Sequence, residues 1–290
     1  MFDRKILKSI EQWKRQTPRK PLVLRGARQV GKTTLVQQFA QGFEQYIYLN
    51  LELPADRQPF EQFTDMDTLL QALFFIKNKT LALRQQTLIF IDEIQEIPEA
   101  LNILRYFYEQ VPDIYVIAAG SLLESIFNQK ISFPVGRVDY LVVRPASFPE
   151  FLLALGETAA LEQLERVPVP SFAHSKLLQL YHTYAITGGM PEVVQHYALH
   201  KDITALAPIY ESLIASYLDD VEKYATGHTQ VQTIRHAMRA SFAGPAGRCH
   251  IDVGSNDGVP PPCSPTCSAR RRSPAWPPSR TSSRRRRSGG

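Results

Sequence analysis

Cysteine is missing from residues 1–248; Cys249, Cys263 and Cys267 near the end are the only three. A disulfide framework is therefore excluded for the body of the protein. The three cysteines with His250 offer zinc-type donors, but a structural zinc site needs four ligands on a folded frame. The surrounding sequence offers none, so zinc is not expected. Long apolar runs are also missing. Nothing approaches the roughly 18–20 residues that a membrane span requires, and the N-terminus, MFDRKILKSIEQWKRQ, has no apolar signal-peptide core. A soluble cytoplasmic protein with no membrane partner is the expectation.

Lysine and glutamate are absent from Pro245 onward, and the consequence is electrostatic. Of the 33 Lys and Arg and the 28 Asp and Glu, nine Arg and two Asp lie in that segment, so it carries +7 and the preceding residues −2 of the net +5. The basic character belongs to the tail, which removes the case for the body as a nucleic-acid binder on charge alone. Leucine is absent there too. Ile251, Val253, Val259 and Trp276 are the only large apolar side chains beside eight prolines. Such a stretch cannot offset its ordering entropy, and disorder is expected over 243–290.

The rest of the chain is richly patterned. Strand-like runs (Pro21–Leu24, Gln45–Leu51, Thr87–Ile91, Asp113–Ala119, Val138–Val143) alternate with helical ones (Lys32–Phe43, Met66–Leu83, Pro98–Val111). That alternation predicts an α/β domain over 1–150, a mostly parallel sheet with flanking helices. Beyond Phe148 strand signals stop. Leu177, Leu180, Tyr181 and Tyr184 share a helical face, Gly188-Gly189-Met190-Pro191-Glu192 breaks the chain and restarts a helix, and Leu206 to Val221 carries a wide amphipathic stripe. A smaller α-helical domain is expected over 151–242.

Two motifs carry chemistry. Gly26-Ala27-Arg28-Gln29-Val30-Gly31-Lys32-Thr33-Thr34 is GxxxxGKT, after a strand and before a helix. The glycines allow backbone torsions and close approach that a Cβ would block. Loop and helix N–H groups cradle phosphates, Lys32 brings charge to the β/γ-phosphates, and the Thr33 hydroxyl is placed for Mg²⁺. Arg28 faces either phosphate or solvent. The second motif, Leu88-Ile89-Phe90-Ile91-Asp92-Glu93, is a buried strand delivering two carboxylates at the edge where α/β sheets bind ligands. Asp92 would hold Mg²⁺ through water and Glu93 would polarise the attacking water. Ser121, after the strand ending at Ala119, either orients that water or caps the next helix. Arg137, before the last strand, either neutralises transition-state charge, from the same or a neighbouring subunit, or makes a surface salt bridge.

RGARQVGKTTL (Arg25–Leu35), YLNLE (Tyr48–Glu52), IFIDEIQEIP (Ile89–Pro98), AAGSLLE (Ala118–Glu124), FPVGRVDYLVVRPASFPEF (Phe133–Phe151) and GGMPEVV (Gly188–Val194) together resemble a prokaryotic AAA-type P-loop ATPase family. It is related to the archaeal ATPases and STAND NTPases and carries an uncharacterised C-terminal domain. The resemblance spans residues 1 to about 240. It implies ATP binding and hydrolysis at Lys32, Thr33, Asp92 and Glu93, places the family's Gly-Arg pair on Gly136-Arg137, and names no substrate beyond ATP. Similar proteins continue with apolar-patterned sequence where this chain turns to Pro, Arg and Ser. The expectation is a partial helical domain ending in a frameshift product, set against a genuine basic tail that binds nucleic acid or anionic surfaces through Arg284–Arg287. The expected function is Mg²⁺-dependent ATP hydrolysis. The alternative is a nucleotide-gated module with little turnover that engages a protein or DNA partner; homo-oligomerisation fits either.

Overall fold

The computed structural model describes residues 2, 4–120, 136–224 and 227–243; the cysteine-containing tail and Ser121 lie outside the described residues. Residues 1–242 group into one compact unit.

Five strands, β1 (Leu22–Arg25), β2 (Gln45–Asn50), β3 (Thr87–Asp92), β4 (Tyr115–Gly120) and β5 (Asp139–Val142), form one sheet in the order β2-β3-β4-β1-β5. Every pairing is parallel. β3 is buried along its whole length, as befits a strand between two others with helices on both faces. The edge strand β2 alternates instead, with Ile47 and Leu49 inward. Two apolar layers sandwich the sheet. One gathers Ile89, Ile91, Leu104 and Phe107 with the helix α4 (Met66–Ile76). The other gathers Leu24, Phe90 and Ile117 with α2 (Lys32–Ala40) and with Trp13 of α1 (Leu7–Lys14).

One helical expectation is corrected, and one helix is added. The helix expected over 66–83 stops at Ile76, where Asn78 adopts φ 51°, and a 3₁₀ turn over Leu81–Gln86 follows. A helix not expected, α3 (Pro54–Gln62), starts with proline in its first turn, where the missing N–H costs nothing, and contains Pro59 as well. α5 (Pro98–Gln110) connects β3 to β4.

Among the described residues no strand follows Val142. The helices α6 (Phe148–Ala154), α7 (Thr158–Leu164), α8 (Ser171–Thr187), α9 (Pro191–His200), α10 (Ala207–Tyr224) and α11 (His228–Ala243) follow. Ser147 and Glu150 form a capping box at the start of α6. Between α8 and α9 the chain presses on the segment after β5. The Ala146 N–H donates to the Gly189 carbonyl at 2.6 Å, and a Cβ on residue 189 would lie 2.2 Å from the Ala146 oxygen, so only glycine fits. Among the described residues no helix is long and apolar enough to cross a membrane.

Candidate functional site

All five strands point the same way, so their C-terminal ends gather along one edge of the sheet, and the loop after β1 lies there. Gly26 sits at φ 151°, where a Cβ would come within 2.2 Å of the Val143 carbonyl oxygen. Gln29 and Gly31 also take positive φ, 61° and 86°. Gly31 is the N-cap of α2, so the helix opens at Lys32 with its first N–H groups unpaired by helical carbonyls.

The charged side chains converge on this loop. Lys32 is buried, and its ammonium donates to the carbonyls of Gly26 and Ala27, each at 2.9 Å. Burial pushes the Lys32 pKa down from the usual lysine range, against the upward pull of Glu93 and Asp92. The Thr33 hydroxyl donates to Asp92 Oδ2 at 2.7 Å, joining the loop to the end of β3. Burial raises the Asp92 pKa, opposed by the Thr33 hydrogen bond and assisted by Glu93. On β2, Tyr48 stacks against Phe90, with 5.6 Å between ring centroids, and donates its hydroxyl to Asp92 Oδ2 at 3.4 Å. Burial, then Asp92, pushes the Tyr48 phenol up to about 12. Glu93 follows with left-handed backbone, φ 51° and ψ 45°.

The loop opens into a cavity of about 510 Å³, within the range of small-molecule sites. Lys32, Thr33 and Glu93 line it together with Phe2, Arg4 and, from α9, Glu192. Ser216, on α10, lines it too.

Several lining contributions were not foreseen. Arg4 donates to the carbonyls of Val30 in the loop and Arg144 after β5, and pairs with Glu150 at 3.0 Å. Its partners are 26, 140 and 146 residues away, so no local pattern announces them. Arg28 faces neither phosphate-side space alone nor bare solvent: it pairs with Asp220 on α10, and the Tyr217 hydroxyl donates to the Arg28 carbonyl at 3.0 Å. The Gly188–Val194 motif hinted at α9 but not at its position beside the loop.

Arg137 is not in this cluster. It precedes β5, whose first residue, Asp139, is level with Leu22 at the start of β1. At roughly 3.3 Å per strand residue, it stands about 16 Å of strand from Val142 at the other edge of the sheet. Its guanidinium meets Glu109 near the end of α5 at 2.9 Å, and that contact, with Arg105, holds the Glu109 pKa below the usual carboxylate range. Strand direction thus separates Arg137 from the loop after β1, and the contact it makes is the salt bridge of the alternative reading. β4 lies beside β3, as a water-orienting Ser121 would require, though Ser121 itself is outside the described residues. So is the zinc-type set of Cys249, His250, Cys263 and Cys267. Among the described residues no group of three or more His, Cys, Asp or Glu converges as a metal site would require.

Comparison with known proteins gives a family for the sheet-bearing part. Residues 18–152 match the family model described as an AAA domain. No curated protein matches the chain. Among solved structures the chain is similar to one in the structure of Drosophila ORC bound to DNA, with 15% identity and a TM-score of 0.39 over 81% of this chain and 65% of that one. It is also similar to the structure of C. elegans PCH-2, with 16% identity and a TM-score of 0.37 over 82% of this chain and 68% of that one. The chain thus spans about two thirds of the length of these solved chains. The Gly26–Thr34 loop, the Asp-Glu pair and all five parallel strands fall inside residues 18–152, the segment similar to the AAA domain family.

Proposed function

We propose that the chain binds ATP with Mg²⁺ on the Gly26–Thr34 loop and hydrolyses it to ADP and phosphate. The observation that carries this reading is the convergence of Lys32, Thr33 and Glu93, from two segments of chain, at one open cavity, with Asp92 hydrogen-bonded to Thr33 beside them. The donor set suits the metal: a hydroxyl and a carboxylate oxygen, both hard ligands, meet beside space for phosphate oxygens and water. Thr33 and Asp92 would hold Mg²⁺, which when bound neutralises phosphate charge.

The chain's own residues supply the rest. Lys32 exchanges its two loop carbonyls for β/γ-phosphate oxygens. The loop N–H groups and the start of α2 bind the remaining oxygens. Glu93 accepts a proton from a water aligned with the γ-phosphorus, whose bond to the bridging oxygen breaks as the new P–O bond forms. Catalysis here is positioning and charge stabilisation. Arg137 lies away from its own loop, and in a homo-oligomer it would neutralise charge on a neighbouring copy's γ-phosphate.

A second reading, the nucleotide-gated interaction module, draws support from one contact. Tyr217 and Asp220 of α10 both engage Arg28, so a change at the phosphates would be felt in the helices, which could present a protein or DNA surface.

Phosphate release from MgATP, with and without added DNA, separates the readings. Turnover by the wild type that Glu93→Gln abolishes supports the ATPase. Tight MgATP binding with no turnover in any condition supports the module, and no binding at all overturns both.

A further inference from the structure

Glu93 does not reach into the cavity unsupported. The chain turns through one 3₁₀ unit, Ile94–Glu96, directly after it. Ile94 and Ile97 are buried in the sheet's apolar layer and anchor that turn. Backbone bonds from the Glu96 N–H to the Glu93 carbonyl at 3.0 Å and from the Ile97 N–H to the Ile94 carbonyl at 3.3 Å close it. Gln95 is thereby carried back beside Glu93, and its amide Nε2 donates to Glu93 Oε2. The other end of the amide, Oε1, is buried without a hydrogen-bond partner among the described residues. An amide held this way has one donor-side contact fixing it, and that contact is the carboxylate.

We infer that Gln95 is a positioning residue for Glu93: it occupies carboxylate oxygen Oε2 and so commits Oε1 to the water that attacks ATP. The inference rests on the ATPase reading above. A free glutamate has several rotatable bonds and two equivalent oxygens, so its useful orientation is one of many. Tying one oxygen to a side chain on an anchored turn removes most of those alternatives before the substrate arrives. Gln95 touches neither the phosphates nor the water in this arrangement, and its effect passes entirely through Glu93.

The test uses Gln95→Met, which keeps length and bulk and removes the donor, beside Gln95→Lys, which restores a donor at similar reach. Hydrogen bonds to charged groups scale to roughly tenfold or more in rate. Gln95→Met is expected to lower kcat by about that factor with KM for MgATP unchanged, and Gln95→Lys to recover part of the loss. Glu93→Gln/Gln95→Met should be no slower than Glu93→Gln alone, since residues acting as a unit are not additive. Affinity gives a readout independent of turnover. ADP with aluminium fluoride, which mimics the transferring phosphoryl group, should bind Gln95→Met about tenfold more weakly, while ADP binds equally. Wild-type turnover matched by Gln95→Met, with equal affinity for the mimic, overturns the role of Gln95 alone. A wild type that binds ADP but neither turns over ATP nor prefers the mimic overturns the ATPase reading and this inference with it.

Discussion

Arg28, inside the phosphate loop, forms an ion pair with Asp220 of α10, whose side chain is only 8% exposed. Asp220→Ala should therefore destabilise the protein by about 1–3 kcal/mol, the scale for stranding a partly buried polar group. Urea unfolding at neutral pH reads it directly. An unchanged midpoint would mean that the pair contributes nothing net.

Lys32→Ala should weaken MgATP binding at least tenfold. Lys32 alone in the loop brings a full positive charge to the β/γ-phosphates, and charge-assisted contacts of this kind contribute roughly 1.5–3 kcal/mol. Calorimetric titration showing wild-type affinity would dissolve the assignment of the loop.

Glu93→Gln should keep nucleotide affinity and lose turnover by roughly 10²–10⁴-fold, the range for a positioned proton acceptor. Single-turnover assays with excess protein separate that loss from any change in binding.

Gly26→Ala should cost stability as well as binding. The new methyl meets a backbone oxygen, Val143 O, at 2.2 Å, and φ 151° is itself unfavourable for an L side chain. Backbone strain alone is worth about 1–3 kcal/mol. A thermal midpoint equal to wild type would show that β1 and the segment after β5 can part without penalty.

Glu150 gives the pH dependence. Its burial would raise the pKa, but the Ser147 N–H, the Arg4 guanidinium and the Lys5 N–H together hold it below its ordinary value of 4.5. A carboxyl depressed in the folded state stabilises above its unfolded pKa, and that contribution disappears as pH falls through the depressed value. Acid unfolding below about pH 4.5 should be shallower in Glu150→Gln, which has already lost the term at neutral pH.

What the sequence made readable was whatever sits in consecutive residues. The loop Gly26–Thr34 and the run ending in Asp92-Glu93 are contiguous, so residue type and spacing announce them. β3 was legible because four apolar residues in a row have few other uses. The long-range partners were not legible. Arg4 meets Glu150, and Arg28 meets Asp220, only after the sheet and the helices have folded onto each other. α3 was not legible either, because its two prolines weaken a helical pattern and only the structure places the first in the opening turn. The Pro191-Glu192 restart was visible as a helix start, yet nothing in it told which cavity it would border. Arg137, which precedes the last strand, reads from sequence either as a transition-state cation or as a surface salt bridge, and only strand direction and the contact with Glu109 separate it from its own loop.

The cavity beside the loop has walls from three distant stretches: Phe2 and Arg4, the loop with Glu93, and then Pro191 to Ser216. A ribosome making this chain releases the phosphate loop and all five strands well before Ser216 exists. Until then the cavity has a floor and no roof. Any affinity that depends on the late segment arrives only after Ser216 has been made, so the cavity is completed after the sheet is already in place.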